Sequence, residues 1–258
     1  WDEVALLARE IEKAGASIIS THFTWHESQV PTIATMVPRA AFTSVTHRVR
    51  QEVSVPVITS NRINMPDVAE AVLERGDADL VSMARPMLAD SQFMQKAAEG
   101  KNQEINTCIA CNQACLDHTF SFKMTSCLVN PRACNETLLN YLPTNAVKNI
   151  AVIVAGPAGL AYACVAAERG HRVTLFDASN EIGGQFNLAK RVPGKEEFYE
   201  TLRYYDHQLR KVGVERRLNT RVDVSMLQAE NFDHIIVATG ISPRTPDIPG
   251  ISHPMVMG

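Results

Sequence analysis

Four of the six cysteines of this chain fall between residues 108 and 127, and this clustering constrains the fold more than any other feature of the sequence. The spacing is C-x2-C-x3-C-x11-C, formed by Cys108, Cys111, Cys115 and Cys127. Three thiols so close in sequence can face one centre, and a fourth on a returning loop completes a set of soft thiolate ligands. The pattern favours a cubane 4Fe-4S cluster. A four-cysteine zinc site is the alternative, although such sites usually pair two C-x2-C knuckles.

Before the cysteines, helical and strand patterns alternate three times, as in a parallel sheet flanked by helices. The predicted strands are residues 16–20, 55–59 and 78–83. The third helix is expected to begin at Asn64, as its cap, with Pro66 in the first turn. The strands are followed by Trp25-His26-Glu27, Ser60-Asn61-Arg62 and Ala84-Arg85-Pro86. Such loops form the functional face of parallel α/β folds, whether open sheets or eight-stranded barrels, and two arginines there suit a phosphate.

After the cysteines, the sequence indicates a dinucleotide-binding unit. Residues 150–154 form a predicted strand, 155–159 a tight turn, 160–169 a helix of small residues and 172–176 a second strand. Asp177 follows at the distance expected of a carboxylate that binds an adenosine ribose, and the helix amino terminus suits a pyrophosphate. Val154 replaces the first glycine of the usual G-x-G-x-x-G pattern. The residues expected at this site are Ala155, Gly156, Ala158, Gly159, Asp177, Gln185, Ala238 and Gly240.

This order of motifs resembles the iron-sulfur flavoenzymes of the Old Yellow Enzyme group, in the NADH:flavin oxidoreductase family. The resemblance extends over essentially the whole chain. It is carried by residues 25–27, 31–35, 61–64, 83–86, 105–117, 126–132, 182–187 and 193–198. It implies an α/β fold in three parts: the C-terminal part of an FMN-binding (β/α)8 TIM barrel over 1–104, an iron-sulfur loop and linker over 105–146, and the start of a Rossmann-like FAD-binding domain over 147–258.

The resemblance also implies an oxidoreductase. In the enzymes that the chain resembles, NADPH reduces FAD, and a 4Fe-4S cluster passes the electrons to FMN. The reduced FMN then reduces a 2,4-dienoyl-CoA, as in the β-oxidation of unsaturated fatty acids. The residues it assigns are His26 as the active-site histidine, Arg62, Ala84 and Arg85 at FMN, and the four cysteines at the cluster. The tyrosine proton donor of the family has no equivalent here. His22 and Thr24 stand where small residues, often glycine, are expected.

Two other interpretations stay open at this point. The chain could belong to another member type, such as an enoate reductase or a trimethylamine dehydrogenase. It could instead be a non-catalytic electron-transfer or zinc-binding module that kept the architecture.

Composition limits the partners. Hydrophobic residues make up 45% of the chain, enough for a packed core, and Lys+Arg 25 against Asp+Glu 28 shows no excess of one sign. This balance gives no electrostatic signature for nucleic acid or an anionic membrane. No stretch approaches the roughly 18 consecutive apolar residues of a membrane span. We therefore expect a soluble, cytoplasmic protein whose partners are small molecules. The resemblance implies that these are an enoyl- or dienoyl-CoA and NADPH.

Length adds one further expectation. A complete eight-stranded barrel takes about 250 residues, whereas three strand-helix repeats precede the cysteines here. We therefore expect the chain to be an internal segment of a longer enzyme, which fits Trp1 in place of Met. Such a segment is expected to bind FMN poorly and to lack turnover by itself.

Overall fold

The fold is described from a computed structural model, which covers residues 1–242 and 244–256. The helices are α1 (Asp2–Lys13), α2 (Thr43–Arg50), α3 (Pro66–Glu74), α4 (Arg85–Ala89), α5 (Phe93–Ala98), α6 (Leu116–Phe120), α7 (Pro157–Glu168), α8 (Phe186–Ala189), α9 (Phe198–Lys211) and α10 (Val224–Ala229). The strands are β1 (Ile19–Ser20), β2 (Val57–Thr59), β3 (Leu80–Val81), β4 (Asn149–Ile153), β5 (Arg172–Phe176), β6 (Glu215–Arg217) and β7 (His234–Val237). A 3-10 turn, Asn102–Glu104, precedes the cysteines.

The chain divides into two compact units. The first unit comprises Trp1–Leu142 and Gln185–Lys211, and the second comprises Pro143–Gly184 and the residues from Val212 onward. The second unit is therefore interrupted in sequence, because α8 and α9 pack with the first. Nothing in the sequence indicated this interruption within the predicted block 147–258. No helix in the described part of the chain is long and apolar enough to cross a lipid bilayer.

The first unit contains a three-stranded parallel sheet in the order β1-β2-β3. Ile19 pairs with Val57, and Ile58 pairs with Leu80. Neighbouring parallel strands in sequence order, joined by helices, are what consecutive repeats of a β/α barrel produce. Each strand is shorter than the predicted segment, but all three lie within the predicted ranges. Their carboxyl ends carry the three loops singled out from the sequence.

The predicted cap of α3 is wrong. Met65 precedes the helix in an extended conformation, while Pro66 occupies the first turn as predicted. Asn64 is 2% exposed and donates its side-chain amide to the Cys108 carbonyl oxygen, at 2.9 Å, and to Glu197 Oε2, at 3.2 Å. An amide held by distant partners is not available to satisfy the first N–H groups of a helix.

The second unit is a four-stranded parallel sheet in the order β6-β5-β4-β7. In order along the chain this is 3-2-1-4, the arrangement of a doubly wound nucleotide-binding fold. The predicted strand 172–176 is confirmed as β5, which is buried after its first residue, as strands covered on both faces are. The predicted helix begins earlier than expected, at Pro157, and buries Leu160, Ala163 and Ala166. The prediction of an α/β fold is thus confirmed.

Candidate functional site

The loop after β2 holds Arg62 in the interior of the first unit. Asn61 and Arg62 have φ of 72° and 55°, so two successive left-handed residues turn the chain sharply after the strand. Arg62 is 4% exposed. Its Nε donates to the Val37 carbonyl oxygen at 2.6 Å, and its Nη2 donates to Glu197 Oε1 at 2.7 Å. The residue expected to contact the flavin is therefore a buried cation with a buried carboxylate as its counter-ion.

The loop after β3 places Arg85 against the cysteine loop. Ala84 is exposed, and Arg85 is the first residue of α4. Arg85 Nη1 donates to Asn112 Oδ1 at 2.7 Å, and Asn112 Nδ2 donates to the Ile33 carbonyl oxygen at 2.8 Å. Arg85, which is expected at the FMN phosphate, is thus held by the side chain of Asn112, a residue that lies between Cys111 and Cys115 in the sequence.

The four cysteines of the predicted ligand set line one small cavity, which Arg85 also lines. All four are half-buried. Burial raises the pKa of the Cys108 thiol to about 12 and also raises the pKa of the Cys111 and Cys127 thiols. Four sulfur donors at one cavity have the chemistry that an iron-sulfur cluster requires. In the described residues, however, no three His, Cys, Asp or Glu side chains lie close enough to hold one metal ion. The cluster therefore stays a prediction.

His26 lies half-buried in the loop after β1. Its Nδ1 is 3.4 Å from Thr32 Oγ1, and its ring meets Phe120 edge to face, with 6.2 Å between ring centroids. Nearby, Thr24 has a φ of 64°, and its buried hydroxyl has no hydrogen-bond partner among the described residues. This φ explains why a glycine is expected at position 24, because glycine reaches the left-handed region without steric cost and a β-branched residue does not. His22 is exposed.

The turn after β4 carries backbone strain. Val154 has a φ of 80°, in the left-handed region that the first glycine of the motif would occupy without cost. A β-branched residue held there costs on the order of 1–3 kcal/mol. Gly159 is required by close packing, because a Cβ at this position would overlap the Val154 carbonyl oxygen. The motif therefore lacks its first glycine at position 154, where the backbone has a positive φ. It keeps its last glycine at position 159, where a side chain would overlap the backbone.

Asp177 ties the end of β5 to this turn. It is 6% exposed, its Oδ2 accepts the Ala155 N–H at 2.7 Å, and its Oδ1 accepts the Ser179 N–H at 2.8 Å. The Ala155 carbonyl oxygen accepts the Gly183 N–H at 2.7 Å. The carboxylate predicted to bind a ribose therefore also holds the backbone of the turn.

The remaining residues of the predicted nucleotide site lie in different surroundings. Gly156 caps α7, and Ala158 is exposed in its first turn. The Ala238 N–H donates to the last carbonyl of β4 at 3.0 Å, and Gly240 is exposed with a φ of 72°. Gln185 is exposed and begins the segment that packs with the first unit. The structure groups the turn, Asp177 and the end of β7 in one unit and assigns Gln185 to the other.

The sequence analysis missed Glu197. This residue is 6% exposed and accepts hydrogen bonds from Arg39 Nε at 2.8 Å, Arg39 Nη2 at 2.7 Å, Arg62 and Asn64. It lies in the segment 193–198 that carries the family resemblance, but by residue type it is one of a pair of glutamates before α9, which is the usual composition of a helix amino terminus. Glu196, the other member of the pair, is exposed.

Comparison with known proteins matches two parts of the chain to two protein families. Residues 2–104 match the NADH:flavin oxidoreductase / NADH oxidase family, and residues 148–257 match the pyridine nucleotide-disulphide oxidoreductase family. Residues 2–104 are thus a segment of the NADH:flavin oxidoreductase type. In the sequence, this segment precedes the one that matches the pyridine nucleotide-disulphide oxidoreductase family. The sequence analysis predicted the same order, with a flavin-binding barrel part before a dinucleotide-binding unit.

Individual relatives are similar over nearly the whole chain. This chain is 43% identical over 251 residues to a metal reductase of Desulforamulus reducens. It is 33% identical over 259 residues to a bilirubin reductase of Mediterraneibacter gnavus. A solved structure of 2-naphthoyl-CoA reductase with 2-naphthoyl-CoA superposes with a TM-score of 0.92 at 34% identity. These similarities cover 96%, 99% and 97% of this chain but 38%, 40% and 38% of the respective relatives. The chain thus spans well under half the length of each.

Proposed function

We propose that this chain is the part of a flavin-dependent oxidoreductase that holds an FMN site, a 4Fe-4S cluster and an FAD site, in an enzyme of the 2,4-dienoyl-CoA reductase type. One observation carries the proposal: four cysteines and Arg85 line the same cavity. Sulfur donors suit a one-electron carrier, and a guanidinium fork suits a flavin phosphate. Their shared cavity would place the cluster beside the phosphate end of the flavin.

When bound, these groups would relay electrons from NADPH to an electron-poor C=C bond. The residues of this chain would bind and orient them. Arg85 and the backbone at Ala84 would hold the FMN phosphate, and Arg62 would present a buried positive charge to the flavin. His26 would orient the substrate from the loop after β1, by a hydrogen bond from its ring.

In the second unit, the proposal assigns nucleotide binding to the turn after β4. The amino terminus of α7, at Gly156, would receive the FAD pyrophosphate, because its N–H groups have no partners within the helix. Asp177 would bind the ribose with the lone pairs left over from its backbone hydrogen bonds. Ala238 and Gly240 would complete the site.

The proposed substrate class is a conjugated acyl-CoA thioester. The similarity to 2-naphthoyl-CoA reductase supports this class, since that enzyme was solved with its CoA thioester. A second candidate is reduction of a metal ion, which the 43% identity to a metal reductase favours. The same proposed electron carriers would serve either reaction, and only the final acceptor would differ.

Cofactor content provides the first test. The natural protein that carries these residues would be purified anaerobically, and its absorption spectrum, iron and zinc would be measured. We expect flavin bands together with broad iron-sulfur absorption. A colourless protein containing zinc would instead identify a zinc-binding module. NADPH-dependent reduction of a 2,4-dienoyl-CoA, an enoate and a soluble metal ion, and dehydrogenation of trimethylamine, would then identify the substrate.

Arg85→Gln tests the assignment of the FMN phosphate. Hydrogen bonds to charged groups contribute about 1.5–3 kcal/mol, so we expect the FMN dissociation constant to rise by about tenfold or more. Arg75→Gln is the matched control, because Arg75 is an exposed arginine paired with Asp77. Equal FMN affinity in the two variants, measured by flavin fluorescence, would contradict the assignment.

A further inference from the structure

A buried carboxylate joins two loops of the first unit that carry predicted cofactor residues. Glu197 Oε1 accepts Arg39 Nε at 2.8 Å and Arg62 Nη2 at 2.7 Å, while Oε2 accepts Arg39 Nη2 at 2.7 Å and Asn64 Nδ2 at 3.2 Å. Glu197 is 6% exposed, and the Arg62 side chain is 3% exposed. Removing one partner of such a buried pair leaves an uncompensated charge, which costs about 3–5 kcal/mol.

The carboxylate fixes the orientation of the Asn64 amide. A carboxylate only accepts hydrogen bonds, so Asn64 must present its NH2 group to Glu197. The same NH2 group donates to the carbonyl oxygen of Cys108 at 2.9 Å. The opposite atom, Asn64 Oδ1, is buried and has no hydrogen-bond partner among the described residues. An unsatisfied buried acceptor is unfavourable, so the orientation is imposed by the two acceptors that share the NH2 group, Glu197 and the Cys108 carbonyl oxygen.

The charges around Glu197 are arranged to keep it ionised. Burial works to raise the pKa of Glu197, but the guanidinium groups of Arg39 and Arg62 outweigh burial and hold it below its ordinary value. Arg39 Nη2 also donates to Glu200 Oε1 at 3.2 Å, and Glu200 Oε2 accepts a hydrogen bond from Arg203 Nε at 2.6 Å. Glu197 is therefore the carboxylate that offsets the charge of Arg62.

We propose that Glu197 is a positioning residue that couples the flavin contact to the cysteine loop, since it holds Arg62 on one oxygen and, through Asn64, the backbone of Cys108 on the other. The inference rests on the proposed function for its meaning in electron transfer. It goes beyond that function in giving one residue, from a segment distant in sequence, control over both sites. Hydrogen bonds and charges beside a redox centre set its potential, so the coupling should be measurable.

Glu197→Gln tests the effect on the flavin. The amide is similar in shape but carries no charge, so Arg62 loses its counter-ion and favours the anionic reduced flavin. We expect the FMN midpoint potential of the natural protein to shift to a more positive value. Glu196→Gln is the matched control, because it removes an exposed charge from the preceding residue, and we expect no shift from it. A potential unchanged by Glu197→Gln, or shifted equally by both variants, overturns the proposal.

A second measurement needs no cofactor. In Glu197→Gln the substituted amide can donate to Asn64 Oδ1, so only the Cys108 carbonyl oxygen still requires the Asn64 NH2 group, and the hydrogen bond between them loses one of its two constraints. We expect amide hydrogen exchange in residues 107–112 to accelerate by about fivefold, the effect of losing about 1 kcal/mol of hydrogen bonding, with no change in Glu196→Gln. Exchange that is unchanged in Glu197→Gln also overturns the proposal. Because this readout does not require flavin, it separates failure of the inference from failure of the proposed function.

Arg39→Gln tests the same coupling if Glu197→Gln does not fold. The Arg39 side chain is 29% exposed, and its removal leaves the carboxylate to Arg62 and Asn64. The charge of Arg62 is then offset more fully, so we expect the flavin potential to shift to a more negative value. Arg191→Gln, at an exposed arginine of the same segment, controls for the loss of a positive charge. Equal shifts in the two arginine variants, or none, contradict the coupling.

Discussion

The two candidate cofactor regions are built by different means. In the first unit, side chains from separate stretches meet in pairs, as Arg85 does with Asn112 and Arg62 with Glu197. In the second unit, the turn after β4 is defined by its backbone conformation and is held by the Ala155 N–H, which donates to Asp177. Loss of one side chain can therefore disable the first region while the fold survives. Substitutions in the second region act through the backbone and change stability directly.

The largest effect is expected from a substitution in the cysteine loop. Cys111→Ser replaces a soft sulfur donor with a hard oxygen, so we expect loss of most of the bound iron and of the broad visible absorption. Cys134→Ser is the control, because Cys134 is exposed and does not line the cavity. Iron content and absorption after anaerobic reconstitution provide the measurement. Retention of full iron content by Cys111→Ser would contradict the conclusion that the first region depends on individual side chains.

The next effect is steric and lies in the second unit. In Gly159→Ala, the new Cβ would overlap the Val154 carbonyl oxygen, so the backbone must shift. We expect a loss of about 3 kcal/mol in the free energy of unfolding. Gly156→Ala is the matched control, since a Cβ there meets nothing within 4 Å, and we expect a change within about 0.5 kcal/mol. Denaturant unfolding followed by circular dichroism would show whether the two substitutions differ.

The smallest effect has the opposite sign. Val154→Gly relieves a left-handed φ that costs on the order of 1–3 kcal/mol, against an entropic cost of roughly 0.5–1 kcal/mol for glycine. We expect a net gain of about 1 kcal/mol in unfolding free energy. Val154→Ala keeps a Cβ and should show no gain. A stabilisation that is equal in the two variants would mean that backbone conformation does not limit this turn.

The same contrast explains what could be predicted. The strands and helix around the turn follow from a local pattern, and β5 was predicted residue for residue. Val154 was also recognised as a departure, because the motif itself specifies where φ must be positive. In the first unit, β1 and β2 end where predicted and β3 ends two residues early, since the alternation of helix and strand is visible within short windows.

Partners distant in sequence were not predictable in this way. Asn64 looks like a helix cap because it precedes a proline, yet its amide is committed to a carbonyl in the cysteine loop and to Glu197. Glu197 looks like an ordinary acidic residue before a helix. Its burial depends on Arg39 and Arg62, which lie more than a hundred positions earlier in the chain, and no short window contains both partners.

The interruption of the second unit by Gln185–Lys211 determines how this protein can be dissected. A fragment starting at residue 147 would carry α9 without the arginines that neutralise Glu197, and it would expose Leu202 and Leu209, which are buried in the intact chain. The strands on either side of the interruption pair directly, with Thr174 opposite Glu215. A transplantable nucleotide-binding module therefore requires excision of the inserted segment and a short linker in its place, rather than a single cut.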